Sequence, residues 1–386
     1  MRVTTDVVLI GGGVLGTLLA FELSFRGISV VVLERDDIGR QGSGTTAGNL
    51  HIQAIHTRRP AQQASVDCAR LVPLQHAAST LWDTFAQRAH VADAVFRCGG
   101  FTVAESEQQV EDLYTKLAWE RQEGIPTEVV GGDELRTYAA YFGKTIRAAT
   151  WCPWDGYADS LSLMPRIASQ AARMGARIFT GSPVVGISRT ANAWNIDSHG
   201  VSVSAGAVIN ASGPWIADIC RLAGIDIAMS PLAIQMHESV RTERFLRHIV
   251  QHIGVGLSVK QTVAGSLVIG GGWPAGRLNP NGSAPVLDES VTGNLSDAAR
   301  VIPRAGGVRL ARVWSGPLAA TPDEMPLVGE IPGHRGMFVV GGTYAFTFAP
   351  LWAKVMSDLV QGSRAHVDID DLGPGRLLAR EEAEIR

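Results

Sequence analysis

Three glycines near the start of the chain have the spacing that binds the diphosphate of a dinucleotide. They are Gly11, Gly13 and Gly16, and Glu34 follows at the end of the next apolar run. The first glycine of this pattern permits a tight turn, the second lets the backbone approach a pyrophosphate, and the third lets a helix pack against a strand. An acidic side chain at the position of Glu34 accepts a hydrogen bond from a ribose hydroxyl. The pattern indicates the binding of an adenosine diphosphate moiety, which FAD and NAD share.

A strand, a helix and a second strand must hold these residues in place. The runs Val7 to Ile10 and Val30 to Leu33 are apolar and β-branched, as is typical of buried parallel strands. The helix between them has Ala20 and Leu23 on its inner face and ends near Gly27. Its N-terminus offers unpaired N–H groups and the positive end of the helix dipole to the diphosphate. The complete unit favours a nucleotide site over a glycine turn without a ligand.

Two further segments have small or hydroxyl-bearing residues that suit contacts with a nucleotide. The loop from Gly39 to His51 offers backbone N–H groups and the hydroxyls of Ser43, Thr45 and Thr46. An ordinary surface loop is the alternative interpretation. The segment Asn210 to Trp215 follows a predicted strand, and its small residues permit close approach of the backbone to a cofactor. A plain strand-to-helix connection would have a similar sequence.

Composition limits the class of protein. A chain of 386 residues is long enough for two domains, and its net charge of -3 with no dense basic run argues against nucleic acid as a ligand. The four cysteines are far apart, which predicts reduced thiols and no metal or iron–sulfur site in this chain. No secretory h-region and no apolar segment of membrane-spanning length is present, so we expect a cytoplasmic protein.

The remaining pattern predicts a discontinuous mixed α/β (α+β) architecture. Residues Gly254–Thr262 and Ser266–Gly272 are predicted to form an antiparallel pair joined at Ala264 and Gly265. Apolar spacing and turn signals predict helices over Gln62–His90, Glu107–Glu123 and Asp159–Met174, and strands over Gly100–Ala104, Ala176–Thr180, Val184–Ile187, Trp194–Asp197, Gly206–Ile209, Val308–Trp314 and Met337–Gly342. We expect a Rossmann-like nucleotide-binding domain from residues 1–85, 145–220 and 325–386. A substrate-binding domain with an antiparallel sheet would comprise 86–144 and 221–324.

Several later segments have the motifs of one flavoprotein family, in the same order along the chain. Residues 321–329 resemble the pattern TPDGxPxIG, residues 345–350 resemble a GFTLAP helix start, and residues 211–215 resemble AAGxW. Residues 133–136 resemble the ELR helix of that family, and Asp155 and Gly156 its loop before a long helix. With the N-terminal unit, the chain resembles the FAD-dependent D-amino acid oxidase and glycine oxidase family over nearly its whole length.

This resemblance implies FAD rather than NAD as the cofactor, and it implies which residues bind it. Val184 would hold the adenine through its backbone, and the dipole of the last long helix would face the flavin pyrimidine carbonyl. The residues expected to bind FAD are Gly11, Gly13, Val14, Leu15, Gly16, Glu34, Arg35, Ser43, Gly44, Thr45, Thr46, Gly48, Asn49, Leu50, Val184, Ala211, Ser212, Gly213, Trp215, Gly342, Thr343, Phe346 and Thr347.

The chain departs from the family pattern where an arginine usually clamps the substrate carboxylate. Leu318 stands at that position, and Thr343 replaces the histidine of a glycine–histidine step. These changes argue against a small free amino acid held by a bidentate arginine. Residues 43–60 also resemble the flavin (β) subunit of bacterial opine oxidases of the octopine and nopaline type. A bulkier N-substituted amino acid therefore fits the sequence better.

The resemblance also implies the chemistry and candidate catalytic residues. Flavin amine oxidation transfers the α-hydrogen as hydride to flavin N5, and water hydrolyses the resulting imine. Ser258 and Lys260 would lie on the strand face turned to the flavin, with Trp273 at the same cavity. Lys260 would neutralise a substrate carboxylate, although an exposed lysine is the common alternative. Tyr344 and His51 would border the isoalloxazine, although a packed loop histidine is the more frequent role for His51.

The main hypothesis is FAD-dependent oxidative cleavage of opines by the flavin subunit of a hetero-oligomeric dehydrogenase. The second subunit would carry further redox centres. The alternative within the class is a dehydrogenase or oxidase of D-amino acids, glycine, sarcosine or D-hydroxyproline. An NAD(P)-dependent dehydrogenase, which the C-terminal motifs disfavour, and a flavin-binding subunit that is inactive alone are the readings from other classes.

Overall fold

The computed structural model describes residues 1–55 and 67–378, in which three sheets and nine α-helices are present. In chain order, the strands are β1 (Arg2–Ile10), β2 (Val30–Leu33), β3 (Asn49–Leu50), β4 (Val95–Phe96), β5 (Gly100–Ala104), β6 (Glu128–Gly131), β7 (Ala148–Cys152), β8 (Gly156–Ala158), β9 (Arg177–Phe179), β10 (Val184–Arg189), β11 (Trp194–Ser198), β12 (Val201–Asn210), β13 (Leu232–Ser239), β14 (Ile249–His252), β15 (Ser258–Gln261), β16 (Leu267–Gly270), β17 (Leu310–Leu318), β18 (Leu327–Glu330) and β19 (Met337–Gly341). The helices are α1 (Val14–Phe25), α2 (Gly42–Thr45), α3 (Cys68–Arg88), α4 (Glu107–Gln122), α5 (Gly132–Tyr138), α6 (Ser160–Arg173), α7 (Ile216–Arg221), α8 (Asp288–Val301) and α9 (Ala345–Val360).

The first sheet has a parallel centre formed by the N-terminal unit. Strand β1 lies between β2 and β12, parallel to both, and β19 is parallel to β12 on its other side. Side chains of β1 alternate between two cores: Val7 and Leu9 pack on one face with α1 and α9, and Val8 and Ile10 pack on the other. The predicted strand–helix–strand unit is confirmed, and β1 extends back to Arg2.

The second sheet has eight strands in the described residues, in the order β17-β13-β16-β15-β14-β5-β7-β6. The predicted antiparallel pair is present as β15 and β16, with strands shorter than expected. The sheet is not entirely antiparallel, because β14 and β5 pair in parallel. Its apolar face packs against α8, with Val250, Val259 and Ile269 in the core between them.

Strand β7 lies next to one expected boundary between the domains. It pairs with β5 and β6 in the second sheet, so the expected division at residue 145 separates β7 from these two partners. A small third sheet has the strand order β3-β8-β4. Its strand β8 begins at Gly156 and follows β7 in the chain. The division of the whole chain into two domains stays a prediction.

Several predicted elements differ from the structure at their ends. The helix expected over Gln62–His90 is α3, which begins at Cys68 after the cap residue Asp67; residues 62–66 lie outside the described part of the chain. The strand expected over Val308–Trp314 is β17, which runs from Leu310 to Leu318. The last long helix begins at Ala345, within residues 345–350 that resemble a helix start. Among the described residues, no helix is long and apolar enough to cross a membrane.

Candidate functional site

A cavity of about 520 Å³ lies between the first sheet and one face of the second sheet. The carboxyl ends of four strands open into it, since Ile10, Leu33, Ala211 and Gly341 all line its wall. Ligands of open parallel sheets bind at this edge, where the strands end. The strand ends, the loop after β2, the start of α9 and the second sheet together enclose the cavity.

The glycine turn forms a backbone-lined wall at one end of this cavity. Gly11 has φ +109°, and a Cβ there would meet the carbonyl oxygen of Ala211 at 2.6 Å, so only glycine fits. A Cβ on Gly13 would meet only the Ser43 side chain, at 2.9 Å, and would otherwise project into the cavity. Gly16 does not line the cavity, because it packs against the carbonyl of Gly11 and brings α1 close to β1.

Glu34 ends β2 and lines the same part of the cavity. Its Oε2 accepts a hydrogen bond from the N–H of Gly12 at 2.5 Å, and its Oε1 accepts one from the N–H of Asp36 at 2.7 Å. Burial raises the pKa of Glu34, while these two N–H groups act in the opposite direction. Each carboxylate oxygen keeps a lone pair, so the side chain can still accept a bond from a ribose hydroxyl.

At the far end of this wall, an aromatic ring and a guanidinium face each other. The Arg35 guanidinium carbon lies 4.1 Å from the centre of the Trp215 ring, and its Nε pairs with Asp36 at 3.1 Å. Three residues that were predicted to bind the cofactor line the cavity here: Val184, Ser212 and Gly213.

The loop after β2 contributes both polar groups and a folded scaffold. Ser43 Oγ accepts a hydrogen bond from the N–H of Val14 at 3.0 Å, which links the loop to the start of α1. Asn49 Nδ2 donates to Ser258 Oγ at 2.7 Å, but the buried Asn49 Oδ1 has no donor. A buried acceptor without a partner calls for a ligand donor beside it. Thr46 also lines the cavity.

Six residues predicted to bind the cofactor do not line the cavity, and most of them shape the elements that do. They are Gly16, Gly44, Thr45, Gly48, Leu50 and Thr343. The Thr45 carbonyl accepts a bond from Trp314 Nε1 at 2.8 Å, and the Thr343 hydroxyl donates to the carbonyl of Glu324 at 2.6 Å. Leu50 is buried in the core beside α9. A direct role in binding for these residues stays a prediction.

The N-terminus of α9 closes the opposite end of the wall. Tyr344 precedes the helix with φ +59°, and Tyr344, Phe346 and Thr347 line the cavity. Trp82 Nε1 donates to the carbonyls of Phe346 and Thr347 at 3.1 and 3.0 Å, and the N–H of His51 donates to Thr347 Oγ1 at 3.0 Å. These bonds fix where the first N–H groups of α9 point. The positive end of the helix dipole can stabilise negative charge in the cavity.

A family model described as FAD dependent oxidoreductase, DAO, matches residues 6–359, which is far more than half of the chain. The chain belongs to this family. The chain is 26% identical to glycine oxidase of Geobacillus kaustophilus (strain HTA426) over 368 residues, which cover 94% of this chain and 95% of that protein. It is 26% identical to human mitochondrial sarcosine dehydrogenase over 362 residues, covering 87% of this chain but only 37% of that protein.

Solved structures give the same result for the fold. The crystal structure of the Geobacillus kaustophilus glycine oxidase superposes on this structure with a TM-score of 0.86 and 25% identity. The match covers 97% of this chain and 100% of the glycine oxidase chain. L-proline dehydrogenase from P. horikoshii has the same fold, with a TM-score of 0.85, 22% identity and coverage of 97% and 98%. The protein is therefore an FAD-dependent oxidoreductase with a mixed α/β fold, as its sequence predicts.

The residues that line the cavity fit FAD. Gly13 leaves space that a side chain would fill, Glu34 is placed for a ribose, and Asn49 Oδ1 offers an acceptor to a ring N–H. FAD, when bound, supplies the acceptor for the two electrons and the hydrogen removed from a substrate. The part that α9 plays is to hold its N-terminal N–H groups at one end of the cavity. In the described residues, no group of three or more His, Cys, Asp or Glu side chains could hold a metal ion.

The end of the cavity beside the second sheet has a mostly apolar wall. Ile234, Met236, Leu257 and Leu318 line it, and Ser258 lies among them. Leu318 thus faces the cavity at the position where the family pattern has an arginine. Sequence reasoning missed Ile234 and Met236, although the alternation of side chains along β13 could have found them.

Two predicted substrate contacts are not part of this wall. Lys260 lies behind the loop after β2: its Nζ donates to the carbonyl of Ala47 and lies 4.0 Å from the centre of the Tyr157 ring. Trp273 Nε1 donates to the carbonyl of Gly256 at 2.8 Å, and its ring packs against Gly293. Neither side chain lines the cavity, so a direct contact of either with the substrate stays a prediction. They support residues that do line it, such as Ala47 and Gly256.

Two basic side chains in and just after β13, His237 and Arg241, do not line the cavity either. His237 is fully buried on the other face of β13, with Nδ1 3.4 Å from the carbonyl oxygen of Ile269, and burial lowers its pKa.

The lowered pKa of Lys260 predicts that the stability of the protein depends on pH. Burial lowers its pKa from 10.5 to about 7, while Cys98 and Asp159 oppose the shift. The unfolded chain therefore binds one more proton than the folded chain between these two values, and stability rises with pH across that window. In Lys260→Met this dependence is absent. At pH 6 the unfolding free energy of Lys260→Met should exceed that of the wild type. We expect this difference to be smaller at pH 9 by on the order of 2 kcal/mol.

Urea denaturation at several pH values between 6 and 9 measures this difference. Lys144→Met is the matched control, because Lys144 is exposed. Its difference from the wild type should not change with pH. A difference for Lys260→Met that is constant across the range would mean that Lys260 is charged in the folded protein at pH 9.

Proposed function

We propose that this chain oxidises the carbon–nitrogen bond of a small amino acid, with glycine- and sarcosine-like compounds as substrates and FAD as acceptor. The observation that carries the proposal is one continuous cavity that joins the glycine turn and the start of α9 to the face of the second sheet. The full-length similarity to glycine oxidase supports it, since the match covers 94% of this chain.

The described residues divide the work of this reaction between two walls. The glycine turn, Glu34 and the loop after β2 orient the cofactor, and the N-terminus of α9 favours negative charge at one end of the cavity. The second sheet presents Met236, Leu257 and Leu318, whose apolar side chains exclude water from the reacting carbon. This arrangement suits hydrogen transfer from an uncharged amine, which needs no dedicated acid–base pair.

A second candidate is the cleavage of opines such as octopine and nopaline, and Leu318 favours it. An arginine at this position would clamp the carboxylate of a small amino acid, whereas Leu318 leaves an apolar wall that an N-substituent can contact. The similarity of residues 43–60 to opine oxidase subunits supports the same candidate, although residues 56–60 lie outside the described residues. A second subunit with further redox centres and a cytoplasmic location belong to this candidate as predictions.

An anaerobic titration of the purified chain separates the candidates. The visible absorbance of its flavin is followed while glycine, sarcosine, D-alanine, D-hydroxyproline, octopine and nopaline are added in turn. We expect glycine or sarcosine to bleach the oxidised flavin. Bleaching by opines alone would replace the first candidate with the second. A flavin that none of these amines reduces would contradict both.

A further inference from the structure

One amide in the wall formed by the second sheet has no hydrogen-bond partner among the described residues. Gln251 lies on β14, where its neighbour Val250 points into the core beneath the second sheet. Side chains alternate along a strand, so Gln251 points to the opposite face, and it lines the cavity. Its side chain is only 7% exposed.

The other buried glutamines show how unusual this is. Gln53, Gln75, Gln235 and Gln261 are all buried, and the side chain of each hydrogen-bonds to backbone groups at 2.9–3.2 Å. The carboxamide of Gln251 makes no hydrogen bond within the part of the chain that the structure describes. Neither polar atom of this carboxamide is both fully buried and without a hydrogen-bond partner, so the amide meets the open space of the cavity. A ligand that enters the cavity can therefore pair with it.

Ser258 extends the polar surface beside Gln251. The two residues face each other directly across the antiparallel pair β14 and β15. Ser258 Oγ accepts the bond from Asn49, so its own proton is left to donate into the cavity. Around this pair the wall is apolar, with Met236, Leu257 and Leu318.

Permanent charge is missing from this part of the wall. In residues 1–55 and 67–378, the arginines that line the cavity are Arg35 and Arg40, and both belong to the segment just after β2. No lysine of those residues lines it. The groups that the second sheet offers to a substrate are thus neutral: one carboxamide and one hydroxyl.

Together with the proposed function, on which it rests, this geometry leads to one inference. We propose that Gln251 is a specificity-determining residue whose Nε2 donates a hydrogen bond to an oxygen of the carboxylate or carboxamide next to the amine-bearing carbon of the substrate. An arginine clamp selects a negative charge, whereas a neutral amide selects an oxygen acceptor in the right place. The enzyme therefore accepts α-amino amides as well as α-amino acids.

The test compares sarcosine with sarcosinamide in three forms of the enzyme. Gln251→Leu removes the donor while keeping the size of the side chain, and it should raise KM for both compounds by about 10- to 100-fold with a much smaller change in kcat. Gln251→Arg adds a charge, and it should shift the ratio of the two KM values towards the acid by roughly tenfold or more. An unchanged KM in Gln251→Leu for both compounds would overturn the inference.

Binding without turnover gives an independent readout. Acetate and acetamide cannot be oxidised as amines, so the dissociation constant of each follows from its perturbation of the oxidised flavin spectrum. Both should bind the wild type, and both should bind Gln251→Leu about tenfold or more weakly. Equal binding to wild type and variant would contradict the inference even where no amine reduces the flavin. Reduction of the wild-type flavin tests the proposed function separately.

Two controls exclude other roles for Gln251. Gln108→Leu makes the same chemical change at an exposed position in the first turn of α4. It should leave KM and both dissociation constants unchanged. The FAD content and the resting flavin spectrum of Gln251→Leu should equal those of the wild type. A loss of FAD or a shifted resting spectrum would assign Gln251 to the cofactor instead of the substrate.

Discussion

Replacing Gly13 with valine is expected to abolish FAD binding while the protein still folds. Gly13 is the residue before α1 and has φ −75°, which any residue can adopt, so the substitution causes no backbone strain there. A Cβ at this position meets only the Ser43 side chain, and the two methyl groups of valine extend into the cavity where the diphosphate is expected. We expect the affinity for FAD to fall by roughly 100-fold or more, which is about 3 kcal/mol of binding free energy.

The ratio of flavin to protein absorbance and an FAD titration of the apoprotein measure this loss. Circular dichroism shows whether the fold is retained. Gly307→Val is the matched control, because a Cβ at Gly307 has nothing within 4 Å and lies outside the cavity lining. It should bind FAD as the wild type does. If Gly13→Val also binds FAD with wild-type affinity, the diphosphate does not pass over the glycine turn.

The parts of the fold that sequence predicted depend on local signals. The unit from Val7 to Glu34 is short, and its turn glycines, strand residues and helix end are adjacent in sequence, so the pattern determines the structure. Helix α6 was predicted for the same reason, since Asp159 caps its N-terminus through bonds to Leu161 and Ser162 and Gly175 follows its end.

The parts that sequence could not predict depend on residues far apart in the chain. Strand β14 pairs in parallel with β5, about 150 positions earlier, and no local pattern indicates that partner. Lys260 was placed on the correct strand, but the loop that covers it comes from residues near Ala47. Gln251 was missed because a polar residue in a strand of four residues indicates neither its burial nor the cavity beside it.

Helix α4 shows the same limit for charged residues. Its sequence predicts a charged amphipathic helix, on which Lys116 and Glu120 would form an ordinary surface pair four residues apart. In the structure both side chains are fully buried. Lys116 Nζ lies 2.6 Å from Glu120 Oε1 and donates to Gln53 Oε1 at 2.8 Å and to Thr150 Oγ1 at 3.2 Å. Burial of this pair comes from the second sheet and from the segment after β3.

This buried pair is coupled to the wall of the active site. Glu120 Oε1 also accepts a hydrogen bond from the N–H of Ala54 at 2.7 Å, and Gln53 Nε2 donates to Asp155 Oδ2 at 2.8 Å. Ala54 and Gln53 lie between His51 and Ile55, both of which line the cavity. The ion pair therefore holds a segment of the cavity wall from behind.

Lys116→Met is expected to destabilise the protein by about 3–5 kcal/mol, because it leaves the carboxylate of Glu120 buried without a positive partner. Lys116→Met with Glu120→Gln removes both charges and keeps an acceptor for the N–H of Ala54, so most of the lost stability should return. Urea denaturation of the FAD-loaded protein measures both effects. Lys354→Met is the matched control: Lys354 and Asp358 are also four residues apart, but Lys354 is 37% exposed, so its loss should be below about 1 kcal/mol.

The comparison between these variants decides how the segment behind the cavity is held. If Lys116→Met costs no more than Lys354→Met, the bonds of Asp155 to the N–H groups of Ile52 and Gln53 are enough to fix the segment alone. If the double variant is as unstable as Lys116→Met, the loss comes from packing around the long Lys116 side chain rather than from an unpaired charge. Recovery in the double variant is the expected result, because two neutral side chains of similar volume leave no unpaired charge in the buried site.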